Sequence, residues 1–142
     1  MIYVDTSVAL AELLAEDRRP GEDFWRQTLV SSRLLEYEIW TRVHARKLAR
    51  SHGDAARALV GRIALLELVS PVLTRALEPF PKPVRTLDAL HLASTEYLRE
   101  RQPAIRLATY DGRQAAAARA MGIALYDLDG HERSHKGQRL KG

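Results

Sequence analysis

Ile2-Tyr3-Val4-Asp5-Thr6-Ser7-Val8-Ala9-Leu10 decides how the rest of the chain is read. Ile2, Tyr3 and Val4 are β-branched or aromatic, the make-up of a short buried strand. Asp5, Thr6 and Ser7 are all helix-capping residues, and the stretch from Thr6 to Ala15 is rich in alanine and leucine. A helix therefore follows the strand at once. A strand that feeds straight into a helix, repeated along a chain, makes a parallel sheet with helices over both faces.

The alternation continues outward from there. Residues 16–21 break the first helix at Pro20-Gly21, and a second covers Glu22 to Gln27. Leu29-Val30-Ser31 reads as a strand. Ser32 caps a long helix to about Arg50, closed by His52-Gly53, and Asp54 caps another to about Leu66. Leu68-Val69-Ser70 reads as the third strand, stopped by Pro71. The prolines between Pro79 and Pro83 make a rigid loop. Thr86 caps a helix from Leu87 to Arg101, Arg106 to Thr109 is a strand, and Arg113 to Met121 a helix that Gly122 ends. Ala124 to Tyr126 is the last strand. The expectation is a single α/β domain over residues 1–129, with a basic, flexible tail over 130–142 that lacks apolar periodicity.

With 142 residues the chain can bury a real core without staples. A hydrophobic fraction of 46% with 28% charged residues excludes a disordered chain. Cysteine is absent, so disulfides and thiolate metal sites are excluded. No apolar run approaches the roughly 20 residues of a membrane span, and the amino terminus lacks a signal-peptide pattern, so a cytoplasmic protein is expected. A net charge of +4 is a mild bias towards polyanions.

Four acidic residues stand in informative places. Asp5 and Asp111 end strands, where side chains of a parallel sheet line the ligand crevice. Asp88 lies in the first turn of a helix. Glu38 shares a helical face with Leu34, Thr41, Ala45 and Leu48, a mostly apolar or small face on which a carboxylate is costly unless paired or ligating. Each has a bland explanation. Asp5 and Asp111 are good helix caps, and Asp88 suits a helix dipole. His91, one turn beyond Asp88, reads as a packing or hydrogen-bonding residue and is left outside the site. Taken together, carboxylates gathered at one sheet edge cannot all stay ionised unpaired, and a divalent cation is their natural partner. Oxygen-only ligands select Mg²⁺ or Mn²⁺, ions that serve phosphoryl chemistry.

At these residues the chain resembles the PIN-domain family, in particular the VapC-type toxins of toxin–antitoxin pairs. The resemblance rests on Ile2-Tyr3-Val4-Asp5-Thr6-Ser7, on Ser31-Ser32-Arg33-Leu34-Leu35-Glu36-Tyr37-Glu38, most specifically on Leu87-Asp88-Ala89-Leu90-His91-Leu92-Ala93, and on Thr109-Tyr110-Asp111 with the segment from Ala116 to Ile123. It implies a five-stranded parallel sheet between helices. It also implies a Mg²⁺- or Mn²⁺-dependent endoribonuclease, a homodimer silenced by a cognate VapB-type antitoxin whose peptide crosses the active-site groove. Carried over by position, Asp5, Asp88 and Asp111 hold the metal and Glu38 completes the site and orients the attacking water. Thr6 or Thr109 would hydrogen-bond a ligating carboxylate.

Arg42, Arg46 and Arg50, one helical turn apart, form a candidate RNA track. Trp25 or Trp40, if exposed, would mark a dimer or antitoxin surface. Two other classes compete. A catalytically inactive PIN-like module would bind RNA or protein without cutting, but all four acids are present. A receiver-type signalling domain also gathers acids at a sheet edge, yet it needs a lysine after a late strand, where this chain has Tyr110-Asp111-Gly112-Arg113.

Overall fold

The computed structural model describes residues 1–130; the basic tail expected from Gly130 onward lies, from residue 131, outside the described residues. The opening strand is β1 (Ile2–Val4). Then come α1 (Thr6–Leu13), α2 (Glu22–Trp25), β2 (Leu29–Ser32), α3 (Leu34–Ala45) and α4 (Ala49–Val60). The chain continues through β3 (Ala64–Leu66), α5 (Ser70–Ala76), α6 (Thr86–Arg101), β4 (Arg106–Ala108), α7 (Gly112–Ala120) and β5 (Ala124–Leu125).

The five strands form one parallel sheet in the order β3-β2-β1-β4-β5. β1 is central because all three of its residues are apolar enough to be covered on both sides; Ile2, Tyr3 and Val4 are each 0% exposed. Side chains alternate along a strand, so Ile2 and Val4 face one layer and Tyr3 the other. The first layer packs them with Leu10, Leu13, Phe24, Leu35, Ile39, Val43 and Leu59 from α1 to α4. The second packs Tyr3 with Val30, Leu92, Leu107, Ala117, Ala118 and Ile123 beneath α6 and α7. The doubly covered parallel sheet expected of the sequence is the fold. Among the described residues, no helix is long and apolar enough to cross a membrane.

Two expectations are corrected. The helix expected from Ser32 to Arg50 is two helices, because α3 ends at Ala45 and Lys47 takes a left-handed φ of 56°. The Leu48 N–H reaches back to the Val43 carbonyl and closes that helix end. The turn folds α4 back against α3. Gly53, read as a helix stop, is buried inside α4, where an added Cβ would lie 3.8 Å from Trp40. Asp54, read as a cap, instead pairs with Arg57 at 3.0 Å within α4. The third strand is Ala64–Leu66 rather than 68–70, since Ser70 and Pro71 open α5, where proline's missing N–H costs nothing.

Candidate active site

The strand order reverses beside β1: β2 and β3 run outward on one side, β4 and β5 on the other. The carboxyl ends of β1 and β4 flank the crevice that such a reversal opens. Asp5 follows β1 directly, and its N–H is held by the Ala108 carbonyl at 3.0 Å. The residue is 4% exposed. Oδ2 accepts from the Ser7 hydroxyl at 2.5 Å, the Ser7 N–H at 3.3 Å and the Thr109 hydroxyl at 2.9 Å. Gln114 is fully buried, and with its amide turned so that both ends are satisfied, its nitrogen donates to Asp5 Oδ1 at 2.9 Å. Asp5 is thus both the cap of α1 and a carboxylate of the crevice; the two readings describe one residue.

The same hydroxyls accept as well as donate. Ser7 Oγ takes the Tyr110 N–H and Thr109 Oγ1 takes the Asp111 N–H, each at 3.0 Å. Two small side chains therefore stitch the end of β1 to the end of β4. Asp111 caps α7, with Oδ1 accepting from the Arg113 and Gln114 N–H groups at 2.9 and 3.2 Å. Asp88 stands half-buried in the first turn of α6. Burial pushes its carboxyl above the usual range, as do the charges of Asp111 and Asp5 and, more weakly, Glu38; His91 opposes them.

Glu38 reaches the crevice from α3. The helix buries Leu35, Ile39 and Val43, so Glu38 lies on the groove side rather than on an inward face, with its side chain 22% exposed. Leu34, Thr41 and Ala45 line a groove together with Glu38, as the spacing has it, but Thr41 and Ala45 are exposed and Leu48 lies beyond the end of the helix. Glu38 Oε1 accepts from the Thr6 hydroxyl at 3.0 Å and from His91 Nε2 at 2.6 Å. Thr6 and Thr109 each bond one of the four carboxylates, Thr6 to Glu38 and Thr109 to Asp5.

His91, left outside the site by sequence reasoning, touches it. Its ring is 1% exposed, and its Nδ1 lies 2.7 Å from the Tyr3 hydroxyl. A carboxylate only accepts, so Nε2 carries the proton towards Glu38 and Nδ1 accepts from Tyr3. Burial pushes the Tyr3 phenol well up, which keeps it a donor. The available signal was that Asp88 and His91 share one face of a helix, three residues apart. Nothing in the spacing links either residue to Tyr3 or Glu38.

Asp5, Glu38, Asp88 and Asp111 line one pocket of about 530 Å³, together with Thr6, Ser7, Arg42 and Arg85. Among the described residues, no three Asp, Glu or His side chains stand close enough together to hold a metal ion by direct contact alone. An all-oxygen donor set spread around a pocket fits a hard cation that keeps several of its waters, as Mg²⁺ does. Beside Glu38 a second, mainly apolar groove of about 340 Å³ runs past Leu10, Leu34, Tyr37 and Leu87. Tyr37 is its exposed aromatic at 67%. Trp25 and Trp40 are partly buried against the core. Arg42 lines both pockets, whereas Arg46 caps α3 and Arg50 begins a different helix, so the three do not form a one-turn stripe.

Sheet order and crevice together define an α/β domain whose acidic residues meet at the switch point of a parallel sheet. A family model, the PIN domain, matches residues 2–125, and the chain belongs to the PIN-domain family. Its relatives include Ribonuclease VapC46 of Mycobacterium tuberculosis, 34% identical over 130 residues, which span 87% of this chain and 95% of that protein. Ribonuclease VapC47 of the same organism is 31% identical, with 87% and 93% covered, and Ribonuclease VapC35 is 28% identical, with 88% and 95% covered.

Proposed function

We propose that this chain is the toxin of a toxin–antitoxin pair, an endoribonuclease that hydrolyses RNA phosphodiesters with Mg²⁺ or Mn²⁺. The observation that carries the reading is the convergence of Asp5, Glu38, Asp88 and Asp111 on one pocket. The matched relatives, which bear the name ribonuclease, support it. Asp5, Asp88 and Asp111 would hold the ion, with Glu38 beside it. The bound ion supplies charge neutralisation for the phosphodiester and acidification of a water.

The chain's own groups do the rest. Arg42 and Arg85 at the pocket's rim offset the acidic charge and draw in the phosphate backbone. The Ser7 and Thr109 hydroxyls hold Asp5 in one rotamer. Both hydrogen bonds to Glu38 fall on Oε1, which leaves Oε2 to orient the attacking water and accept its proton. The apolar groove beside Glu38 suits an antitoxin peptide that also reaches the acids with an Arg or Lys. A homodimer completes the proposed assembly, and residues 1–129 would make up its nuclease domain.

The test is cleavage of single-stranded RNA by the purified chain, with Mg²⁺ or Mn²⁺ and with chelator, beside Asp5→Asn and Asp88→Asn. Cleavage that survives chelation, or full activity in both variants, would sink the proposal.

A further inference from the structure

We propose that His91 is a positioning residue for Glu38. The Tyr3–His91 pair holds the imidazole as its Nε2–H tautomer and so fixes the rotation of the Glu38 carboxylate, with Oε1 bound and Oε2 left for the attacking water. The inference rests on the ribonuclease reading above and extends it to a residue that touches neither the ion nor the RNA.

The hydrogen bonds form one line across four elements. The Ser32 N–H at the end of β2 donates to the Tyr3 hydroxyl at 3.1 Å. Tyr3, on β1, donates to His91 Nδ1 at 2.7 Å, and His91, on α6, donates from Nε2 to Glu38 Oε1 on α3 at 2.6 Å. The Tyr3 and His91 rings meet edge to face, with centroids 5.7 Å apart. Tyr3 is 0% exposed and His91 1%, so water has no access to take over the bond between them.

A histidine that only filled space here would be a poor choice. A buried imidazole is costly unless both nitrogens are satisfied, and an apolar side chain of similar size avoids the problem. Both nitrogens are satisfied, and the line ends on a half-buried carboxylate inside the acidic pocket. A glutamate side chain otherwise turns freely about its torsions. Two bonds to one oxygen, from His91 and Thr6, remove that freedom before substrate arrives. The direction of the line is set at its carboxylate end, because Glu38 Oε1 only accepts, so Nε2 donates and Nδ1 is left to take the phenol proton, while the phenol oxygen accepts the Ser32 N–H.

The experiment compares His91→Gln with His91→Asn in the full chain. A glutamine amide stands at the reach of Nε2, an asparagine amide at that of Nδ1, and both are buried polar residues of similar demand. His91→Asn and Tyr3→Phe should lower kcat on single-stranded RNA about tenfold or more, with KM changed less than about twofold, while His91→Gln keeps most of the activity. In a Glu38→Gln background, His91→Asn should cause no further loss. Equal losses in His91→Gln and His91→Asn, tracking their thermal stability, would overturn the proposal. So would independent, multiplying losses in the Glu38→Gln background. Nitrogen-15 spectra of the metal-free wild-type protein give a readout without activity: Nε2 should be protonated and Nδ1 bare, and the reverse tautomer overturns the proposal even if the variants misfold. If the wild-type chain cuts no RNA, the ribonuclease reading falls, and the spectra still decide the hydrogen-bonded line.

Discussion

Replacing Thr109 by valine removes one oxygen and nearly preserves shape, which isolates the hydroxyl that joins Asp5 to Asp111. The oxygen donates to Asp5 Oδ2 at 2.9 Å and accepts the Asp111 N–H at 3.0 Å. A hydrogen bond to a charged acceptor contributes about 1.5–3 kcal/mol net, and a neutral one about 0.5–1.5 kcal/mol. Asp5 keeps its two bonds from Ser7, so its charge is not abandoned. The Asp111 N–H belongs to a half-buried residue, where water makes good part of the loss. The expected cost is about 2–4 kcal/mol. Urea unfolding of the metal-free protein should show it as a lower midpoint at unchanged slope. RNA cleavage should fall about 10- to 100-fold, because two of the four carboxylates lose their common support. Ser7→Ala removes the matching hydroxyl and should cost a similar amount. The double variant should lose more than the two singles combined, since they share one carboxylate oxygen. A cost below about 1 kcal/mol with unimpaired cleavage would show that these hydroxyls do not hold the site together.

Asp88→Asn should raise the thermal midpoint at neutral pH. The folded-state pKa of Asp88 is raised by burial and by Asp111 and Asp5. Its ionisation therefore costs nothing below the unfolded value, a growing amount as pH climbs from there through the folded value, and the full amount above. The advantage of the variant over wild type, read as melting curves in chelator from acid to neutral pH, should vanish at the acid end; a pH-independent difference refutes the linkage. Gly53→Ala should stabilise the chain by about 0.5–1 kcal/mol, since the helix interior gains a better former. The new methyl would sit at ordinary contact distance, 3.6 Å from Arg57 and 3.8 Å from Trp40. Destabilisation in a denaturant titration would mean that the α3–α4 contact is tighter than it looks. Arg42→Ala should raise KM for RNA several-fold and flatten its salt dependence, and Arg46→Ala and Arg50→Ala should do so less; equal effects of all three would restore the continuous basic track.

What could be read from the chain follows from how local the signal is. Ile2-Tyr3-Val4 carries its own burial, and the strand-then-helix alternation leaves few topologies, so the parallel sheet was legible. Asp5 and Asp111 were legible because a strand end is a local fact. The break at Lys47 was not. It uses a left-handed lysine where glycine is the usual signal, while the nearby glycine, Gly53, lies inside α4 and ends nothing. Glu38 was found on the right face, beside Leu34, Thr41 and Ala45, but that face borders the groove and not the core, since spacing says which residues are neighbours on a helix and not which side is buried. His91 was missed because its meaning depends on Tyr3 and Glu38, partners that lie 88 and 53 residues away.

The stitching of β1 to β4 also sets the order in which the molecule matures during synthesis. The Thr109 hydroxyl and the Asp5 carboxylate it grips are separated by 104 residues. β1 leaves the ribosome before either of its partners in the sheet, and β4 follows only after β2 and β3. Until then β1 has an unpaired edge, Asp5 lacks Thr109, and Asp111 has not been made. The pocket is therefore complete only once β4 and the residues that follow it have been made. A nascent fragment ending before β4 would carry Asp5, Glu38 and Asp88 and still lack Thr109 and Asp111, which complete the pocket.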